Sequence, residues 1–269
     1  MRWLFCALAL VCACPAEAAP QHIVSLDYCA DQYVLALADR AQIAALSPGA
    51  RRDDSYFRAR AASVRQIRPS LEDVLALRPD LVARTWGGPW DAAAIYGRFH
   101  VPVLQLGDVH DFTGARAELL RAADALGQHA RGEAMARDLD VRLARLRADA
   151  PANRAPVLYL TAGGAVAGSG VMMDAMISAA GGRNVWRGDN WTVLPLERLT
   201  QTPPALIATA FFDTGRTAMN AWAPSRHPVF QRMLARARVI DLPAPSVSCE
   251  NWTVIEASER LHAAIRRAT

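Results

Sequence analysis

Hydrophobic and polar positions along the chain switch repeatedly between two periods. Ile23-Val24-Ser25-Leu26 is a short β-like run, and a helical pattern follows from Cys29 to Asp39. Ile43-Ala44-Ala45-Leu46 reads as a second strand, closed by Ser47-Pro48-Gly49, with a polar loop over Arg51 to Ser55. Ser70 stands three residues before Asp73, the spacing of a helix N-cap whose oxygen satisfies a backbone N–H of the first turn. The helix it opens must end before Arg78-Pro79, because proline restricts the residue before it. Leu81-Val82-Ala83 and Val101-Pro102-Val103-Leu104 complete the predicted strands of this half. Strands alternating with helices call for a parallel α/β sheet.

The pattern then changes. Phe112 to Leu126 is helical and Gly127 breaks it. Residues 128–149 form one long helix with Met135, Leu139, Leu143 and Leu146 on a single face. At about 1.5 Å per residue it is roughly 30 Å long. After Pro151 the alternation resumes: strand Val157 to Leu160, a Gly-rich loop, helix Met172 to Ala180, a stop at Gly181-Gly182, and later a strand over Val239 to Leu242. The expected organisation is an α/β lobe over 20–127, a connecting helix over 128–150 and a second α/β lobe over 151–269.

An internal repeat supports two equivalent lobes. Leu71-Glu72-Asp73-Val74 through Ala83 aligns without gaps on Leu196-Glu197-Arg198-Leu199 through Ala208, each a helix, a proline stop and a strand. The spacing places one carboxylate, Glu72 or Glu197, at the same offset in each lobe. Ahead of the first lobe, Trp3 to Cys14 is continuously apolar, and Ala16-Glu17-Ala18 gives the small-x-small pattern of a cleavage site. Residues 1–19 therefore read as a signal peptide, and the apolar run is too short to cross about 30 Å of hydrocarbon. A lipoprotein is the weaker alternative, since Val11-Cys12-Ala13-Cys14 is a poor lipobox.

Composition narrows the chemistry. All 30 basic residues are arginine, which excludes every lysine-based mechanism. They are interleaved with acids and form no polybasic block, so nucleic acid is not an expected partner. A hydrophobic share of 52% supports a real core. No nucleophile elbow, dinucleotide fingerprint or zincin motif is present, and the histidines show no ligand spacing. No catalytic residue, metal site or cofactor is expected. Gly163-Gly164 and Gly168-Ser169-Gly170 fit a tight loop with close backbone approach better than a phosphate cradle. Trp86, Trp90, Trp191 and Trp252 all sit beside turn residues, where aromatics line clefts for large, partly apolar ligands.

These residues together resemble a known family. Val24-Ser25-Leu26, Leu71 to Val82, the single long helix, Gly181-Gly182-Arg183-Asn184-Val185 and the Leu196-Glu197 repeat are similar to the iron-complex/cobalamin class of periplasmic substrate-binding proteins. The resemblance implies two Rossmann-like lobes joined by a rigid helix, with ligand held in the cleft between them. It implies a monomer located in the periplasm that serves an ABC importer's permease and ATPase complex and performs no catalysis. The implied ligand is a metal chelate, cobalamin or a ferric siderophore, with haem as the alternative. Leu81 to Gly88 is similar to the cobalamin-binding members in particular. Arg51, Arg52, Arg58 and Arg60 are the candidates for an anionic siderophore, and Tyr28 or Tyr56 for an axial haem ligand. Glu72 and Glu197 are implied to dock on permease arginines. Ligands in open α/β sheets sit beyond the carboxyl ends of strands, here Asp27-Tyr28, Thr85-Trp86, Gly107-Asp108, Thr161-Ala162 and Phe211-Phe212-Asp213 with the loops at Trp191 and Trp252. The expected ligand-binding residues are Tyr28, Trp86, Trp191, Phe211 and Trp252, with Tyr56 added as the second candidate haem ligand. Cys29 and Cys249 fall in two such segments and either bridge the lobes as a disulfide or stay as buried thiols.

Overall fold

The computed structural model describes residues 18–193, 206–211 and 226–267. Residues 1–17, and with them most of the expected signal peptide, lie outside the described residues, as do Glu197, Phe212 and Trp222.

The first half is a four-stranded parallel sheet. Its elements in chain order are β1 (Ile23–Ser25), α1 (Tyr28–Leu37), β2 (Ile43–Ala45), α2 (Arg58–Ala61), α3 (Leu71–Leu75), β3 (Leu81–Arg84), α4 (Ala92–Gly97), β4 (Val103–Gln105) and α5 (Phe112–Ala125). The strand order is β2-β1-β3-β4, all parallel. Parallel strands share one carboxyl edge, so the chain leaves β1, β3 and β4 on the same side of the lobe. Ser70 caps α3, its hydroxyl accepting from the Asp73 N–H at 3.1 Å.

Helix α6 (His129–Ala148) runs on from this lobe as one uninterrupted element and buries Ala136, Leu139, Leu143 and Leu146. The second half comprises β5 (Ala155–Thr161), β6 (Ala165–Ala167), α7 (Met172–Ala179), β7 (Gly182–Asn184), β8 (Trp191–Val193), β9 (Leu206–Ala210), α8 (Pro228–Arg236), β10 (Arg238–Asp241), α9 (Ala244–Val247) and α10 (Val254–Arg266). The strand order is β10-β9-β5-β6-β8, and β7 pairs with the start of β5. Strands β10, β9, β5 and β7 are parallel, whereas β6 and β8 are antiparallel additions. The Gly-rich stretch after β5 is thus a hairpin as well as a loop: the Gly164 N–H donates to the Thr161 carbonyl at 2.9 Å, and β6 turns back along β5.

The aligned strands of the repeat are structurally matched. Leu81 opens β3 between β1 and β4, and Leu206 opens β9 between β5 and β10. The C-terminal segment does more than finish the second lobe. The Ser248 hydroxyl donates to the Asp54 carbonyl at 2.7 Å, and the Asn251 amide donates to Gln32 at 3.0 Å. Tyr56 donates to Glu256, and Arg142 on α6 holds Glu259 with two bonds of 2.8 and 2.6 Å. One hydrophobic core runs through both halves, from Ile23, Leu37 and Leu119 through Leu139 and Leu146 to Tyr159, Met176 and Leu261. Among the described residues no helix is long and apolar enough to cross a membrane.

Candidate ligand-binding site

Asp27 organises one wall of the site. It caps α1, its Oδ1 accepting from the Ala30 N–H at 2.9 Å. Its Oδ2 accepts from the N–H groups of Thr85, Trp86 and Gly87 at 2.7, 3.0 and 2.9 Å. One buried carboxylate therefore satisfies four backbone donors and ties the loop after β3 to the start of α1. Gly87 is required by the close approach: a Cβ there would lie 2.4 Å from the Leu26 carbonyl oxygen. Arg84 clamps the same loop from below, donating to the carbonyls of Pro89 at 2.6 Å and Trp86 at 3.2 Å. The loop is held, and the Trp86 side chain is left 59% exposed. Its ring meets Tyr28 edge-on at 6.0 Å. The Arg52 guanidinium lies over the Tyr28 ring, 4.5 Å from its centroid, and is fixed by two bonds to Asp54.

Strand β8 supplies the facing wall. Trp191 packs edge-on against Tyr159 at 5.7 Å and stays partly exposed. Gly168 lets the 188–190 turn approach: it donates to the Asn190 carbonyl at 2.8 Å, and a Cβ on it would sit 2.0 Å from the Gly188 oxygen. Close backbone approach, not a phosphate cradle, accounts for this glycine.

The third wall is the C-terminal crossing segment. Cys29 and Cys249 are joined, with S–S 2.09 Å and Cα–Cα 5.4 Å. Ser248, Cys249 and Glu250 thus lie against the N-terminus of α1. Tyr28, Trp86 and Trp191 line one cavity of ≈ 360 Å³ between the two halves, together with both cysteines, Asp108, His110 and Glu250. Burial pushes the Glu250 carboxyl up to about 7, Asp108 adds to that shift, and a hydrogen bond with Trp191 and the charge of His110 oppose it.

Three of the residues expected in the cleft lie elsewhere. Trp252 is buried and packs edge-on against Tyr33 at 4.7 Å, because the turn after Glu250 drives it beneath α1 into the core. Tyr56 shares a separate cavity of ≈ 340 Å³ with Trp252, against α6. Its hydroxyl is committed to Glu256, and burial followed by that carboxylate raises its pKa further. Phe211 follows β9 with a φ of 69° and packs half-buried against the main core instead of lining the cavity. Sequence reasoning missed His110 and Glu250 as cavity residues. The signal for Glu250 was its position next to Cys249. Glu72 is exposed in the first turn of α3.

Residues 23–244 match the periplasmic binding protein family, and the chain belongs to that family. It is accordingly a solute-binding component of an ABC importer and not an enzyme. No curated protein sequence matches it. Among solved structures it is similar to the periplasmic haem-binding protein BhuT in complex with two haems, at 24% identity and TM-score 0.69, covering 92% of this chain and 100% of that one. It is similar to the periplasmic haem-binding protein RhuT of Roseiflexus sp. RS-1, at 22% identity and TM-score 0.69, covering 91% and 98%. The periplasmic vitamin B12 binding protein BtuF of Vibrio cholerae matches at 17% identity and TM-score 0.70, covering 93% and 98%. At these identities the likeness establishes the two-lobed fold.

Proposed function

We propose that this chain is exported by residues 1–19 to the periplasm, captures a corrinoid in the cavity between its lobes as a monomer, and delivers it to an ABC permease. The observation that carries the ligand is the pairing of aromatic walls with an acidic interior. Tyr28, Trp86 and Trp191 offer faces and edges to a large macrocycle, while Asp108 and Glu250 supply acceptors. A corrinoid has a periphery of neutral amides that donate to such acceptors. A carboxylate or catecholate siderophore would want arginines there, and among the described residues none lines the cavity. Arg52 is held by Asp54, Arg58 by Asp53, and Arg60 lies over Phe57. Glu72, exposed on α3, is the described member of the docking pair, with Glu197 its counterpart in the repeat.

Haem is the second reading, favoured by the presence of Tyr28 and His110 in the same cavity, since either side chain can serve as an axial donor. Its propionates would meet Asp108 and Glu250 unfavourably. The test is a titration of the mature chain with cyanocobalamin, hemin and ferric citrate, reading tryptophan emission and melting temperature. Cyanocobalamin is expected to quench Trp86 and Trp191 and, at a hundredfold excess over its Kd, to stabilise the fold by about 2.7 kcal/mol. Quenching and stabilisation by hemin or ferric citrate alone overturns the corrinoid assignment.

A further inference from the structure

Glu250 is an unusual residue to find where it is. Its backbone adopts a φ of 45°, a region sparsely populated by residues with a Cβ and sustained only when the surroundings fix it. The surroundings here do so. Cys249 is bonded to Cys29 on α1 on one side, and on the other Asn251 is buried and bonded to Gln32. The carboxyl is thereby placed in the wall of the inter-lobe cavity. Trp191 hydrogen-bonds it, and an indole can only donate, so Trp191 orients the carboxyl as an acceptor. Across the cavity from the first lobe come Asp108 and His110, with the buried Tyr159 behind Trp191.

Resting on the corrinoid reading, we propose that Glu250 is the specificity-determining residue of this cavity: its carboxyl accepts a hydrogen bond from a peripheral N–H of the ligand, so an amide-rimmed macrocycle is taken and its carboxylate-rimmed counterpart is refused. The physical basis is asymmetry. An amide N–H meeting Glu250 forms a charge-assisted hydrogen bond. A carboxylate at the same point meets two carboxyl groups in a partly desolvated space, where like charges interact strongly, and it offers Glu250 no donor beyond the one Trp191 already supplies. Discrimination of this kind comes from what the site repels as much as from what it attracts.

The experiment compares cyanocobalamin with its monocarboxylic acids, in which one peripheral amide is hydrolysed. Affinities are measured at pH 8 on the mature, oxidised protein and on Glu250→Gln. Wild type is expected to prefer the amide over at least one monoacid by tenfold or more. Glu250→Gln, which offers both a carbonyl and an NH2, is expected to bring that ratio below threefold. The wild-type protein provides an independent measurement. Lowering the pH from 8 to 6 passes through the raised range of Glu250, about 7, and should compress the wild-type ratio more than that of Glu250→Gln. If cyanocobalamin binds and Glu250→Gln keeps the wild-type ratio, the role assigned to Glu250 falls alone. If cyanocobalamin does not bind, the corrinoid reading falls and takes this inference with it.

Discussion

Removing the Cys29–Cys249 bridge isolates what one covalent tie contributes. The bonded residues are 220 positions apart, so the bridge closes most of the chain into a single loop. In the chain-entropy treatment, a loop of that length removes about 5 kcal/mol of conformational freedom from the unfolded state. Compactness of the denatured chain lowers the figure, and the expected loss in Cys29→Ser/Cys249→Ser is about 3–4 kcal/mol. For a protein of this size each kcal/mol moves Tm by about 2–4 °C, which gives a drop on the order of 10 °C. The native contact itself should survive. Ser248 still reaches the Asp54 carbonyl, Asn251 still reaches Gln32, and Tyr56 still reaches Glu256. What changes inside is small: the Gln32 amide loses the Cys249 sulfur it donates to at 3.1 Å and meets a hydroxyl instead. Urea unfolding of the oxidised protein, the reduced protein and the double variant measures the difference, with near-UV circular dichroism as the check on native packing. Mass spectrometry of the alkylated, unreduced protein counts free thiols. Two alkylatable cysteines, or a stability loss below about 1 kcal/mol, would refute the reasoning.

Other expectations follow from single residues. Gly87→Ala must push a Cβ against the Leu26 carbonyl, and it should cost about 1–3 kcal/mol and shift the Trp86 emission; an unchanged melting curve would mean the loop has room to spare. Asp27→Ala strands the N–H groups of Ala30, Thr85, Trp86 and Gly87, those of Ala30 and Gly87 buried, at about 1–3 kcal/mol for the first of them, and Asp27→Asn should fall between it and wild type in thermal unfolding. Asp31 and Glu250 are both raised to about 7, chiefly by burial. The native state therefore holds more protons than the unfolded state between about pH 4 and 7, and their contribution to stability falls as pH rises through that window. Exposed Asp39 and Asp149 are shifted down and act in the opposite sense at lower pH, while His129, raised by Asp124, loses its contribution as pH rises. Denaturation at pH 5, 6.5 and 8 should thus show a shallower decline for Glu250→Gln than for wild type, and parallel curves would reject the assignment. Glu72→Arg should leave ligand affinity intact and abolish uptake in cells; a loss of affinity would place this carboxylate in the pocket's support instead.

Much of the scaffold was legible because it is encoded locally. The 3.6-residue pattern over 129–148, the Ser70 cap and the strands at Leu81 and Val157 each depend on neighbours within a turn or a strand. Trp86 was legible as a cleft residue because it follows a strand whose carboxyl end must face outward. The antiparallel strands β6 and β8 were not, since Ala165-Val166-Ala167 is short and flanked by glycines, and its partner Trp191-Thr192-Val193 lies more than 20 residues on. Tyr56 and Trp252 misled for a different reason. Their fate is decided by the return of the C-terminal segment across the first lobe, a tertiary event with no local signature beyond the cysteines. The same return places Glu250 in the cavity, and its one sequence signal is that it follows Cys249.

That crossing also bears on how ligand is taken and released. The two halves are connected by α6, by the Cys29–Cys249 bond, and by the contacts of Ser248, Asn251 and Glu256 with the first lobe. A core that continues through all of these resists wide hinge opening, because separating the lobes would expose Leu139, Leu146 and Leu261. A cavity held this way is largely pre-formed, so little of the binding energy is diverted into ordering its walls. On the function proposed above, selection comes from fit and charge at Trp86, Trp191, Asp108 and Glu250 more than from closure around whatever enters. Release faces the converse problem. Under the docking proposed for Glu72 and Glu197, a permease would have to work against the crossing that ties the two halves together. That crossing is the stretch from Ser248 to Glu256, pinned covalently at Cys249 and by hydrogen bonds at Ser248, Asn251 and Glu256, and it also carries Glu250 in the cavity wall.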